Sequence, residues 1–231
     1  MIKILITSGG TREYIDGVRV LTNISSGRLG AMIAEKFGNC NICDQSNLPI
    51  VYPDYDIHFV YVKGSVIPDT WIHSYMVTDV LSVYEVMEKL VPEMDIVIHP
   101  MAVSDFGFKP ISTKLKSDDP EAFVESLKER IFQTPKILSQ IKKWNPNCFL
   151  ISFKFEDGLE TDELINIGYN SLLKNNSDLV IANDKSEMKR ENNHIAYFID
   201  KNKVVQKYEG KKEISKGIFK KVNEHERNKK S

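Results

Sequence analysis

The sequence predicts an α/β protein whose mainly parallel sheet is flanked by helices and completed by a C-terminal antiparallel hairpin. Three observations carry that expectation. Short apolar runs alternate with segments of helical period, the first run ends in a glycine-rich loop, and the last two runs alternate apolar with polar residues across a tight turn. A length of 231 residues suffices to bury one core, so we expect a single domain over 1–222 followed by a charged tail over 223–231.

The strands expected at 2–7, 57–62, 95–99, 148–153 and 178–182 are brief and nearly uninterrupted in apolar residues, the pattern of strands covered on both faces. Helices are expected at 27–37, 79–91, 135–144 and 162–174. Thr134 and Pro135 read as a cap and first-turn proline, while Thr161, Asp162 and Glu163 place negative charge in a first turn. Asp119-Pro120 starts a further helix within 117–132, where Phe123, Leu127 and Ile131 recur every four residues. Residues 194–199 and 203–208 form the hairpin across Asp200-Lys201-Asn202, and an amphipathic helix follows at 211–222. Residues 38–55 lack periodicity and read as a long connection or insertion.

Charge excludes some partners. With 31 Lys+Arg against 32 Asp+Glu, the formal charge of −1 gives no bulk electrostatic case for nucleic acid or an anionic membrane. The apolar stretch at 95–103 is broken by Asp95, His99 and Pro100, well short of the ~20 residues a bilayer requires. The amino terminus lacks the pattern of a signal peptide, and a cytoplasmic location is expected. Three cysteines make no disulfide framework; Cys40 and Cys43 have redox or half-zinc spacing without a second ligand pair, and inert thiols are expected.

The loop after the first strand, Thr7-Ser8-Gly9-Gly10-Thr11-Arg12, falls at the carboxyl edge of the sheet, where open α/β proteins bind ligands. Downstream, Ser25-Ser26-Gly27 and Gly30 open a helix whose N–H groups could face a phosphate; a bare cap with close helix packing is the alternative. The spacing is neither the one-turn glycine fingerprint of a dinucleotide site nor a phosphate-loop Gly-Lys-Ser/Thr. Arg19 can fork onto a carboxylate or phosphate and Asn23 can donate to an oxyanion, or the two can make an ion pair and an Asx turn. Met101, Ala102 and Asp105 follow the third strand, with Asp105 either accepting from a base or sugar or capping its loop. His99 reads as a packed, hydrogen-bonded residue. Lys114 and Lys116 lie in a polar stretch, 112–119, that suits a lid carrying a cation over phosphates, or simply solvated charge. Phe153 and Asn183 end two further strands at the same edge.

Taken in order, ITSGGTREYIDGVRVLTNISSGRLG, MAVSDF, a lysine-bearing loop, TPKIL, SFKFED and DLVIAND resemble the phosphopantothenate-cysteine ligase family over roughly 2–184. The resemblance implies a modified Rossmann-like domain that dimerises, with 4′-phosphopantothenate, L-cysteine and a nucleoside triphosphate as substrates and Mg²⁺ beside the nucleotide. It implies the stand-alone bacterial form, with no flavin and with CTP favoured over ATP. It assigns Asn23 to the acyl-nucleotidylate, Arg19 to the second half-reaction and Lys114 to the loop over the phosphates. Gly9, Ser25, Gly27, Gly30, Asp105, Phe153 and Asn183 match nucleotide positions, joined by Gly10, Ser26, Met101, Ala102 and Pro135; no metal ligand is assigned. Two departures stand out: fused bacterial members have Ala-Ala-Val-Ala-Asp where this chain has Met101–Asp105, and two basic residues where Ser171 and Asn175 align. A dehydrogenase lacks support for want of its glycine fingerprint. A non-catalytic nucleotide-binding or regulatory subunit could dispense with Arg19, Asn23 and Lys114.

Overall fold

The computed structural model describes residues 1–38, 54–111, 114–115 and 118–229. Strand β1 (Ile2–Ser8) sends Ile4 and Ile6 to one face and Leu5 to the other, all fully buried, so its unbroken apolar run reflects cover on both sides. A small hairpin, β2 (Arg12–Tyr14) and β3 (Val20–Thr22), precedes helix α1 (Arg28–Gly38). Strands β4 (Tyr55–Val62) and β5 (His73–Val77) then add in parallel beyond β1. Helix α2 (Val80–Leu90) carries the chain back to β6 (Ile96–His99) on the other flank of β1.

A second small pair, β7 (Phe106–Phe108) and β8 (Ile131–Gln133), encloses helix α3 (Pro120–Arg130). Helix α4 (Leu138–Trp144), β9 (Phe149–Glu156), α5 (Thr161–Asn175) and β10 (Leu179–Asp184) extend the parallel sheet outward. After the short α6 (Lys185–Arg190), β11 (Ile195–Asp200) and β12 (Val205–Glu209) close it antiparallel, and α7 (Lys211–Asn228) packs back. The order in the eight-stranded sheet is β12-β11-β10-β9-β6-β1-β4-β5. Successive strands therefore leave β1 in opposite directions, and the reversal falls between β1 and β6.

Two cores follow from the pleat. On one face Ile4, Ile6, Phe59, Ile98 and Phe198 meet Ile33 and Phe37 of α1 and Ile214, Ile218 and Val222 of α7. On the other, Leu5, Val60, Val97 and Leu150 meet Val83 and Met87 of α2 and Ile141 of α4. Helix α5 adds Leu164 and Leu172 over Val180 and Ile199.

Several boundaries differ from expectation. Helix α4 starts at Leu138, because the Thr134 hydroxyl is drawn away to donate to the Ser104 carbonyl and Ile137 supplies no side-chain cap. Pro135 thus precedes the helix. Asp119 does cap α3, but the helix stops at Arg130 and Ile131 pairs in β8. Helix α7 runs past 222 to Asn228, since Tyr55 Oη donates to Asn223 Oδ1 (2.9 Å) and Glu226 is buried as well. The unexpected β5 buries only Val77 and so carries almost no apolar signal, and the four short strands of the two small hairpins are too brief to show a period. Most of the 38–55 connection, with Cys40 and Cys43, lies outside the described residues. Cys148 is buried, and burial pushes its thiol up to about 11, as befits an inert sulfur. No helix among the described residues is long and apolar enough to cross a membrane.

Helix α1 lies directly against β1 at Gly30, where a Cβ would stand 2.6 Å from Ser8 Oγ and 3.1 Å from the Thr7 carbonyl oxygen. Gly30→Ala should therefore force helix and strand apart and cost about 1–3 kcal/mol, read as a lower urea midpoint in equilibrium unfolding. An unchanged midpoint would show that the contact relaxes freely.

Candidate functional site

The loops after β1 and β6 are stitched together where the strand order reverses. Ala102 N–H donates to the Gly9 carbonyl (2.9 Å), Thr11 N–H donates to the Ala102 carbonyl (3.1 Å), and Gly10 and Ala102 form an isolated parallel bridge. A crevice at such a reversal is where open α/β sheets bind ligands. Beneath it, Met101 N–H donates to Thr7 Oγ1 (3.3 Å), and the Thr7 hydroxyl is hydrogen-bonded to His99 Nδ1 (2.8 Å). His99 is buried, and burial lowers its pKa to about 4. It is the packed, hydrogen-bonded residue that its place between a strand and Pro100 predicts.

The Asn23–Gly27 turn forms one wall. A Cβ at Gly10 would stand 2.5 Å from the Asn23 carbonyl oxygen, so only glycine lets this turn come so close. Gly27 has φ +73°, and its carbonyl accepts from the buried Ser8 hydroxyl (2.9 Å). The Ser26 carbonyl accepts from Val66 N–H (2.9 Å). Ser25 is half-buried, whereas Asn23 and Ser26 are exposed. The first turn of α1 that follows carries no acidic residue, which leaves its positive end favourable to an anion.

Asp16 organises the other wall. Its buried carboxylate accepts from the N–H groups of Val18 (2.9 Å), Arg19 (2.8 Å) and Leu115 (3.1 Å) and from Arg19 Nη1 (2.8 Å). Burial alone would raise its pKa; the backbone donors and the guanidinium bring it down to about 2. Arg19 Nη1 also donates to the Leu115 carbonyl (3.2 Å), and its guanidinium carbon lies 5.2 Å from the Phe123 ring centre. The ion pair left open by the sequence is thus formed, and through it Arg19 and Asp16 hold Leu115, next to the exposed Lys114. Lys116 lies outside the described residues.

Asp105 neither stands free nor caps its own loop: it is exposed and ion-paired with Lys136, while its carbonyl accepts from Thr134 N–H. Lys136 went unassigned in the sequence, although it lies inside TPKIL. Phe153 is half-buried against the α1 and α7 core, and the Asn183 amide, nearly buried, donates to Met188 Sδ (3.4 Å). Met188 leads into a cleft of about 670 Å³ bordered by Arg28, Lys185, Lys189 and Lys211. Sequence reasoning missed these four cations, though Arg28 sits within SSGRLG and Lys185 directly follows Asn183-Asp184. Together they can receive phosphate oxygens.

The chain matches the family model described as DNA/pantothenate metabolism flavoprotein C-terminal domain over residues 1–43 and 51–225. It is 32% identical over 221 residues to the coenzyme A biosynthesis bifunctional protein CoaBC of Methanocaldococcus jannaschii, a match covering 95% of this chain and 50% of that protein. The chain thus spans half the length of that relative. Among solved structures, the DNA/pantothenate metabolism flavoprotein from Streptococcus pneumoniae superimposes with a TM-score of 0.78 at 29% identity, covering 97% of this chain and all of that one. A Cab2 mutant in complex with phosphopantothenate-cysteine shares the fold, with a TM-score of 0.74 at 16% identity over 100% of this chain and 89% of its own.

Because His99 titrates near 4 when folded against about 6.5 when unfolded, its contribution to stability is complete above pH 6.5 and is lost as pH falls from 6.5 to 4. The urea midpoint should drop across that window, and less steeply in His99→Gln. Equal slopes for both proteins would place the titration elsewhere.

Proposed function

Because the chain belongs to the DNA/pantothenate metabolism flavoprotein C-terminal domain family, we propose that it joins 4′-phosphopantothenate to L-cysteine at the β1/β6 crevice, in cytoplasmic coenzyme A biosynthesis. The observation that carries this reading is the Gly9-Gly10 loop bonded to Ala102 with the Asn23–Gly27 turn packed on it. That arrangement sets Asn23 and the start of α1 over the end of β1, and Asp16 and Arg19 tie Leu115, next to Lys114, to the β2–β3 turn.

The proposed reaction has two steps. The phosphopantothenate carboxylate attacks the α-phosphorus of a nucleoside triphosphate, CTP in preference to ATP, and pyrophosphate leaves. The cysteine amine then attacks the carbonyl carbon of this mixed anhydride; the C–O bond to the nucleotide breaks, CMP departs, and the amine's surplus proton goes to solvent. A carboxylate is a poor acylating agent, and the anhydride supplies its leaving group. In this reading the Asn23 carboxamide donates to the oxygen that gains charge as the carbonyl is attacked. Lys114 offsets phosphate charge, and the cations of the Arg28 cleft receive further phosphate oxygens. The Arg19 edges turned away from Asp16 hold the cysteine carboxylate or the departing nucleotide. No flavin is assigned to the crevice.

Mg²⁺ does not fit as a resident ion of these walls. Asp105 is engaged by Lys136, and the grouping of three metal-ligating side chains found among the described residues is built from β4 and β5, at the opposite edge of the sheet. Mg²⁺ would enter as the counter-ion of the triphosphate, and no step here depends on a protein ligand for it.

The exposed apolar side chains of Val18, Val20 and Leu21 on the β2–β3 hairpin, Ile24 just after it, Phe106 and Ile131 on the β7–β8 pair, and Val124 of α3 support a second copy as partner. Sedimentation at micromolar concentration should give a dimer, and Leu21→Glu should shift it toward monomer; a wild-type monomer overturns this part.

Pyrophosphate release from CTP or ATP, with phosphopantothenate and with or without cysteine, tests the activity itself. Asn23→Ala should remain folded and lose about 10²–10³ in the rate of product formation. Arg19→Gln should still accumulate the acyl-nucleotidylate, seen by mass spectrometry without cysteine, but fail to pass it on. If Arg19 only moors the 114–115 segment, both half-reactions fall together.

A further inference from the structure

The opposite edge of the sheet holds a cluster that the ligase reading leaves unused. Asp56 and His58 are two apart on β4 and therefore share a face. In the parallel register His58 lies beside His73 of β5, and Tyr75, two residues on, shares that face again. Pleat and register alone bring one carboxylate, two imidazoles and a phenol together at the start of the edge strands.

The side chains converge. His58 Nε2 lies 3.4 Å from Asp56 Oδ2, and His73 Nε2 lies 3.2 Å from Asp56 Oδ1. The two rings are stacked with centres 5.0 Å apart, and the three ligand atoms all lie within 4.8 Å of one another. Bonds of about 2.0–2.1 Å in a tetrahedral zinc site place ligand atoms about 3.3 Å apart, the spacing each imidazole already has to one of the two Asp56 oxygens. The remaining closure falls to His73, whose side chain is 45% exposed and is bounded by the edge of the Trp71 ring at 4.6 Å.

We propose that Asp56, His58 and His73 bind a divalent transition-metal ion of the zinc class, with solvent in the fourth position. Imidazole with a single carboxylate is a donor set suited to Zn²⁺ and poorly suited to Mg²⁺ or Ca²⁺. A partner for the other ring nitrogen of His58 is also in place. His58 Nδ1 lies 3.0 Å from Tyr75 Oη, so a neutral His58 with its proton on Nδ1 donates to the phenol and frees Nε2 for the metal. Burial lowers the His58 pKa, against the pull of the Asp56 carboxylate. The nearby cation, Lys3, is in register with Asp56 on β1 and is held by Glu93 at 2.9 Å, so it does not take up the Asp56 carboxylate. A bound ion would tie the edge strand β5 to β4 at the end farthest from the ligand crevice.

Without metal, the same groups would be a carboxylate shared by two imidazole N–H groups, and the experiment separates the two arrangements. Tag-free, EDTA-treated full-length protein carrying Cys40→Ser and Cys43→Ser is titrated with ZnCl₂ by calorimetry, because those thiols could bind zinc on their own. About one ion per chain should bind, with at least tenfold loss of affinity in His73→Ala and in Asp56→Asn. Tyr75→Phe, which removes only the hydrogen bond to His58 Nδ1, should weaken binding by about tenfold. Zinc should raise the thermal midpoint of the parent but not of His73→Ala. No stoichiometric binding, equal binding by His73→Ala, or zinc uptake by wild type alone and not by the serine background would each overturn the proposal.

Discussion

Strand β1 pairs in parallel with β4 on one flank and β6 on the other, and every other feature of the molecule is placed by that double pairing. Because β1 has neighbours on both sides and helices on both faces, its residues are apolar without alternation. Because the chain leaves it in opposite directions, its carboxyl end opens between two diverging sets of connections. The loop at that end is buried under its neighbours: the Asn23 carbonyl closes on Gly10, Ser65 on Gly9 and Gly27, and the first turn of α1 brings Gly30 onto Ser8, each approach leaving no room for a Cβ.

The walls of the crevice are held by polar groups that bond across loops. Thr7 accepts from Met101 N–H and is hydrogen-bonded to the buried His99 ring under the loop. Asp16 gathers three backbone N–H groups and a guanidinium, so one carboxylate fixes both the β2–β3 turn and the 114–115 segment. Arg130 joins the same region, with Nη1 donating to the carbonyls of Ile15 (2.7 Å) and Lys109 (3.0 Å). Such groups are costly to leave unpaired, and they favour one arrangement of loops that pack little apolar surface. Those loops instead carry the exposed apolar side chains that suit them to a second copy of the chain.

The two edges of the sheet differ in chemistry. At the carboxyl edge, turn N–H groups, a helix start and a cleft of cations face outward, an environment for phosphates. At the amino edge, the face that continues the α2 core runs out of helix cover and ends in Asp56, His58, His73 and Tyr75. The same pleat that directs Val60 and Val62 into the core sets Asp56 and His58 on that face, with Asp56 buried and His73 of β5 exposed beside it.

Much of this was legible in the sequence. The five central strands and the final hairpin follow from apolar runs and alternation, since burial on two faces or on one leaves a local pattern. The glycine loop, the Asn23–Gly30 segment and Asp105 were identified as neighbours of one edge because strand ends in a parallel sheet point the same way. Other features needed tertiary structure. Thr134 was free in sequence to cap α4 but bonds across to Ser104, and the helix begins three residues after Pro135. Asp105 finds Lys136, Arg19 finds Asp16, and Arg28 meets Lys185, Lys189 and Lys211, each through chain segments whose approach no local pattern records. The β4–β5 register that sets His58 beside His73 is of the same kind. Local propensity and burial determined the elements and their order; which charged groups meet was decided by packing, because side-chain electrostatics act over a few ångströms in space whatever the distance along the chain.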